Sequence, residues 1–105
     1  MMALDKLAIQ IREVNKKNGW NLTQLEDWSD PYKIPAVLAL IHSEISEALE
    51  DFRIDSREHF LEELADVQIR LLDLAGGLTN EFESHVRRKI AKNAERAFRH
   101  GDKRL

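Results

Sequence analysis

Apolar residues recur every three or four positions along most of this chain, the period of a helix face. Leu4, Leu7, Ile11 and Val14 form one stripe, which predicts a first helix from about Ala3 to Lys17. Asn18-Gly19 follows, and either residue suits the left-handed conformation that closes a helix. A loop is expected from Trp20 to about Ile34, with Trp20, Trp28 and Asp30-Pro31 inside it. Pro35 fits the first turn of a second helix, where its missing N–H costs nothing. Leu38, Ile41, Ile45, Ala48, Leu49 and Phe52 line that helix to about Arg53. Asp55-x-x-Glu58 has the form of a capping box opening a third helix. Its stripe is Phe60, Leu64, Val67, Leu71 and Leu74, and Gly76-Gly77 is expected to stop it. Asn80-x-x-Glu83 is placed to cap a fourth helix, striped by Phe82, Val86, Ile90, Ala94 and Ala97. His100-Gly101 is expected to end it, before a tail from Asp102 to Leu105. No segment alternates with period two for the length of a strand. The pattern predicts an all-α, four-helix domain over residues 1–105, with antiparallel neighbours because the connections at 54–56 and 76–79 are short.

Composition narrows the setting. The chain has 105 residues, 43% hydrophobic and 33% charged, so it is globular in composition rather than disordered. A chain this short buries only about 60–70% of the surface its unfolded form exposes, so an oligomer would help its core. Cysteine is absent, which excludes disulfides, thiolate zinc sites and cysteine nucleophiles. No apolar run reaches the roughly 20 residues of a membrane span, and MMALDKLAIQ lacks the apolar stretch of a signal peptide. The expected address is the cytoplasm, with no membrane partner. The net charge of −3 hides an asymmetry. From His42 to Asp66 nine acids stand against Arg53 and Arg57, and from His85 to Leu105 eight bases stand against Glu95 and Asp102. Solvated faces that attract each other explain such a split, and so does a ligand that is part cation and part anion.

The candidate chemistry lies in two carboxylate pairs of equal spacing, Glu44-x-x-Glu47 and Glu63-x-x-Asp66. At about 100° per residue the second acid of each pair falls about 60° to one side of the first. Ile41, Ile45 and Phe52, or Phe60, Leu64 and Leu71, fall about 60–100° to the other side. If the two stripes pack together, the four carboxylates meet at one rim of the core. Crowded carboxylates raise each other's pKa, and a hard divalent cation removes that penalty, which suits Mg²⁺ with Mn²⁺ as a substitute. Either pair alone reads as a solvated face. A di-iron carboxylate site needs Glu-x-x-His, but Ala39, Ser56, Phe82 and Ala97 stand three before the four histidines. Lys89, Asn93 and Arg96 edge the fourth stripe in the same phase. They suit a phosphate and a base or sugar, or, on the structural side, salt bridges to Glu. Trp20 and Trp28 serve either as packing plugs or as stacking platforms, and Trp20 is counted with the substrate-binding candidates. His42 and His59 lie near the acid faces as surface or outer residues. Arg70, four after Asp66, is expected to pair with it.

The whole arrangement of Glu44-x-x-Glu47, fifteen residues, Glu63-x-x-Asp66 and Lys89-x-x-x-Asn93-x-x-Arg96 resembles the MazG-like all-α nucleoside triphosphate pyrophosphatases, most closely their short single-domain members. The likeness covers about Gly19 to Arg104. Where the family often has Glu-Glu-x-x-Glu, Ser43 replaces the first Glu, which touches an outer carboxylate rather than the ligands. The resemblance implies Mg²⁺ held by Glu44, Glu47, Glu63 and Asp66, which are then also the catalytic residues. It implies nucleotide contacts at Lys89, Asn93 and Arg96, and hydrolysis of nucleoside triphosphates to monophosphate and pyrophosphate in nucleotide-pool house-cleaning. It further implies a homodimer or homotetramer. Phosphoanhydride cleavage needs charge neutralisation and in-line water more than covalent chemistry, which four carboxylates and a cation provide. A helical dimerisation or antitoxin-like regulatory module is the alternative, with the acids serving solubility. Binding to a nucleic-acid polymer is not expected, given the acidic middle and the negative net charge.

Overall fold

A computed structural model describes residues 1–101, with side chains described to residue 96. The described residues form four α-helices and one short 3₁₀ turn joined by loops, and no strand occurs among them. The helices are α1 (Ala3–Lys17), α2 (Lys33–Arg53), α3 (Arg57–Leu78) and α4 (Phe82–Gly101), with the 3₁₀ turn at Leu25–Ser29. The expected tail from Asp102 to Leu105 and the side chain of Ala97 lie outside the described residues. No helix among those described is long and apolar enough to cross a membrane.

The end of α1 follows from its sequence. Gly19 takes φ 72°, and the Gly19 and Trp20 amides donate to the Lys16 and Asn15 carbonyls at 3.1 and 2.9 Å. These two bonds satisfy carbonyls that the helix leaves open. Pro35 lies in the first turn of α2, as its geometry demands. The α2–α3 corner departs from expectation. Asp55 does not open α3 through a capping box; it closes α2 in the left-handed region, at φ 58°. The Asp55 and Ser56 amides donate back to Phe52 and Asp51, and α3 starts after Ser56. Aspartate is among the few non-glycine residues that enter this region readily.

Gly76-Gly77 does not stop α3, which continues to Leu78. These glycines mark close approach instead. A Cβ on Gly76 would lie 3.1 Å from Ala8 Cβ and Arg12 Cδ of α1, and one on Gly77 would lie 2.1 Å from the Thr23 carbonyl oxygen. The expected Asn80-x-x-Glu83 box also gives way, to a tertiary exchange of caps. Asp5 accepts from the Glu83 amide at 3.1 Å, and Glu83 accepts from the Leu4 amide at 2.7 Å. Each helix therefore fills the open amides at the start of the other. The Leu4 amide, and after it Arg87, hold the Glu83 carboxyl below its ordinary value.

α3 is the central element. It packs on α2 along much of its length and on α1 beside the glycines, while α4 rests chiefly on α1. The buried apolar residues are Ala8, Ile41, Ala48, Leu72, Leu74 and Ala75. That core is small, and much of the predicted striping stays open in the single chain: Leu7, Val14, Ile45, Phe52, Leu64 and Ile90 are all exposed. The radius of gyration is 16.4 Å, against about 13 Å for a compact chain of 100 residues.

Gly77→Ala should destabilise the fold by about 1–3 kcal/mol, because a helix-propensity gain of about 1 kcal/mol is outweighed by overpacking against a carbonyl. Gly76→Ala, facing the far end of Arg12 as well as a methyl, should fall within about 1 kcal/mol of the parent. Urea unfolding of both variants checks the order; equal effects would remove the close-approach explanation.

Candidate functional site

The matched phase of the two acid pairs becomes a spatial cluster. Carboxylate oxygens of Glu44 on α2 and of Glu63 and Asp66 on α3 lie within 4.8 Å of one another. Glu44 and Glu63 are half-buried and Asp66 is exposed. Glu47 stays outside this trio, exposed, yet close enough to act on Glu63. One oxygen of Glu63, Oε2, is shielded from solvent and has no hydrogen-bond partner. The Glu63 carboxyl is pushed up to about 7, first by hydrogen bonding with Glu44, then by burial and by the charge of Glu47. A proton on Glu63 is thus the metal-free means of relieving the crowding.

Arg70 supplies a counter-charge, although not where local spacing put it. Its Nε donates to Glu44 Oε1 across the helix pair at 3.2 Å, rather than to Asp66 one turn back. The donor set is all carboxylate oxygen with one orphaned atom, which fits a hard divalent cation such as Mg²⁺ or Mn²⁺.

Beside the trio opens a cavity of about 580 Å³, inside the usual size range of small-molecule sites. Glu44, Asp66 and Arg70 form part of its wall. Leu40, Val37, Ala36 and Ile69 give it an apolar side, and Asn15, Trp20, Asn21, Thr23, Lys33 and Asp73 complete it. The loop after α1 is fastened over this space. The Arg12 guanidinium donates to the carbonyls of Thr23 and Asp73 at 2.7 and 3.1 Å and to Asp73 Oδ1 at 3.2 Å. The Thr23 amide donates to Asp73 Oδ2 at 3.1 Å. Lys33 pairs with Asp27 at 3.4 Å. No family model, curated protein or solved structure matches this chain. The functional argument therefore stands on this geometry and on the residue pattern.

The remaining candidates divide. Trp20 is 62% exposed and lines the cavity, so it is not a packing plug; Trp28, 71% exposed, does not line it. Lys89, Asn93 and Arg96 are exposed on α4 and form no part of the cavity wall. Their matching helical phase does not bring them to the acids within one chain, because α4 packs chiefly on α1. His42 and His59 are exposed and outside the carboxylate trio. The sequence reading missed Asn15, Lys33 and Asp73 as lining residues and Arg12 as the tie between the loop and α3. One signal was available: Asp66, Arg70 and Asp73 fall within about 60° on a wheel, a charged line running inward rather than around a solvated face.

The raised Glu63 value has a signed consequence for the metal-free protein. A carboxyl with an ordinary value of 4.5 raised to about 7 on folding binds its proton more tightly in the native state. Its contribution is fully present below pH 4.5 and is lost as pH rises through about 7. Urea midpoints in chelator should fall across that window, and Glu63→Gln should flatten the fall. A variant with the parent's slope would mean that Glu63 is not the group responsible.

Proposed function

We propose that this chain is a Mg²⁺-dependent nucleoside triphosphate pyrophosphohydrolase, taking dNTPs or non-canonical NTPs to monophosphate and pyrophosphate in cytoplasmic nucleotide-pool house-cleaning. The observation that carries the proposal is the convergence of Glu44, Glu63 and Asp66 within 4.8 Å of one another, with Glu44 and Asp66 in the wall of a nucleotide-sized cavity. An antiparallel α2–α3 pair, joined through the tight turn at Asp55, would bring two acid pairs of equal spacing face to face.

In this proposal Glu44, Glu63 and Asp66 hold the cation, and Glu47 completes or flanks the set. Bound Mg²⁺ would neutralise phosphate charge and make a coordinated water more acidic. Arg70, already at the cavity wall, would hold phosphate oxygens as a charge-assisted donor. A carboxylate not saturated by the cation would accept the proton of the attacking water, and exposed Glu47 is suited to that role. The apolar wall of Val37, Leu40 and Ile69 limits water around the substrate and strengthens each charge interaction there.

Assembly belongs to the same proposal. A homodimer or homotetramer would cover the exposed Leu7, Ile45, Phe52, Leu64 and Ile90, which one chain leaves open. It would also let Lys89, Asn93 and Arg96 of a second copy approach the acidic middle of the first, where charge complementarity favours contact. The exposed apolar faces equally suit a non-catalytic dimerisation module. Such a module gives no reason for a shielded, unpartnered Glu63 oxygen.

Mg²⁺ should raise Tm by several degrees, and more with nucleotide present, since ligands of the native state stabilise it by mass action. Glu63→Gln or Asp66→Asn should abolish that rise and lower pyrophosphate release by more than the roughly 10–100-fold that loss of an outer-shell partner costs. Helical circular dichroism should stay at the parent level. Turnover that persists unchanged in both variants would end the hydrolase proposal and leave the dimerisation module.

A further inference from the structure

The wall of the cavity beyond the carboxylates contains polar groups without a protein partner: the buried Thr23 hydroxyl and the side-chain amide of Asn15. Asn15 is only 8% exposed and lines the cavity. Hydrogen bonds around it are made by its neighbours. Its own carbonyl receives the Trp20 amide, Arg12 reaches Thr23 and Asp73, and the Thr23 amide reaches Asp73. The Asn15 side-chain amide takes part in none of them. Lys33 is tied to Asp27, and the Asp73 carboxylate is engaged by Arg12 and Thr23. A polar side chain this buried ordinarily has partners, so one that faces a cavity without them is placed for a ligand.

We infer that Asn15 is a specificity-determining residue that reads the edge of a nucleobase, with Trp20 stacking on its face. The inference rests on the nucleotide reading above and assigns the base end of that site. An amide offers an acceptor oxygen beside donor hydrogens. Nucleobase edges carry the same alternation, and asparagine pairs with them in two-bond fashion. The backbone bond from Trp20 to Asn15 holds the two residues at one end of α1, both line the same cavity, and aromatic faces take any base. The spacing also suits the task. Asn15 follows Arg12 by one turn on the same face of α1, and Arg12 is fixed to Asp73 of α3. Asp73 lies seven residues beyond Asp66, about 10 Å along the helix. A base at Asn15 thus leaves two helical turns for sugar and phosphates to reach the carboxylates. This assigns base reading to α1, where sequence spacing gave it to Asn93 of α4.

The test uses the full chain, ¹⁵N-labelled, with free adenosine, guanosine, cytidine and uridine, in the absence of Mg²⁺ and of any phosphate. The Asn15 side-chain amide pair and the Trp20 indole N–H should shift on titration, and the Trp28 indole should not. Asn15→Ala should lose about tenfold in affinity for the preferred nucleoside without losing stability, because the amide has no bond to break. Asn15→Asp, which only accepts, should move the ranking about tenfold toward guanosine, whose edge presents two adjacent donors. No shift at Asn15 with millimolar nucleoside, or an unchanged ranking in Asn15→Asp, overturns the inference. Pyrophosphate release from the four triphosphates, measured in parallel, separates the two readings. Base ranking that follows residue 15 without any hydrolysis would sink the hydrolase alone. Hydrolysis whose ranking ignores residue 15 would sink only the base-reading role.

Discussion

Three carboxylates held within 4.8 Å of one another repel, and a proton, a basic side chain or a cation among them relieves that repulsion. The fold nevertheless forces Glu44, Glu63 and Asp66 together, because the same residues that stripe α2 and α3 with apolar groups carry the acids at a fixed angle beside them. Arg70 answers part of the charge through Glu44. A proton on Glu63 answers more, which is why its value climbs to about 7. At higher pH that answer is withdrawn, and in the proposed function a divalent cation would take its place. The arrangement is therefore costly as a purely structural device, since Arg70 and a proton on Glu63 are spent on relieving it.

Around this acidic end the remaining structure builds an enclosure. Arg12 links α1, the following loop and α3 through three acceptors on Thr23 and Asp73. Gly77 leaves room for the Thr23 carbonyl against α3, and the loop that begins at Trp20 is held over the cavity as a result. The cavity wall is mixed in kind: carboxylates and Arg70 stand in it together with an amide, an indole and apolar side chains.

Helix positions were legible in the sequence because the three-to-four period, Asn18-Gly19 and Pro35 each have a local physical cause. The carboxylate trio was legible for the same reason, since phase on one helix is a local property and two matched phases meet when their stripes meet. What failed needed tertiary knowledge. Gly76-Gly77 looks like punctuation, and only the approach of Ala8, Arg12 and Thr23 reveals its use. Arg70 has a local partner in Asp66 and a better one in Glu44 across the helix pair. Asp55 and Glu83 both sit in capping patterns, yet one closes the preceding helix and the other caps α1. Lys89, Asn93 and Arg96 show the limit most clearly, because shared phase says nothing about which helix a face will meet.

The account stands or falls on a cation among these carboxylates. Crystals of the metal-free protein soaked in Mn²⁺ at pH 8, above the Glu63 value, and measured for anomalous scattering give the most direct answer. An anomalous peak bridging Glu44, Glu63 and Asp66, displaced by excess Mg²⁺ and absent from Glu63→Gln crystals, is the expected result. Crystals that take up no Mn²⁺ there, with the three carboxylates still converged, would contradict the claim that this cluster is a metal site.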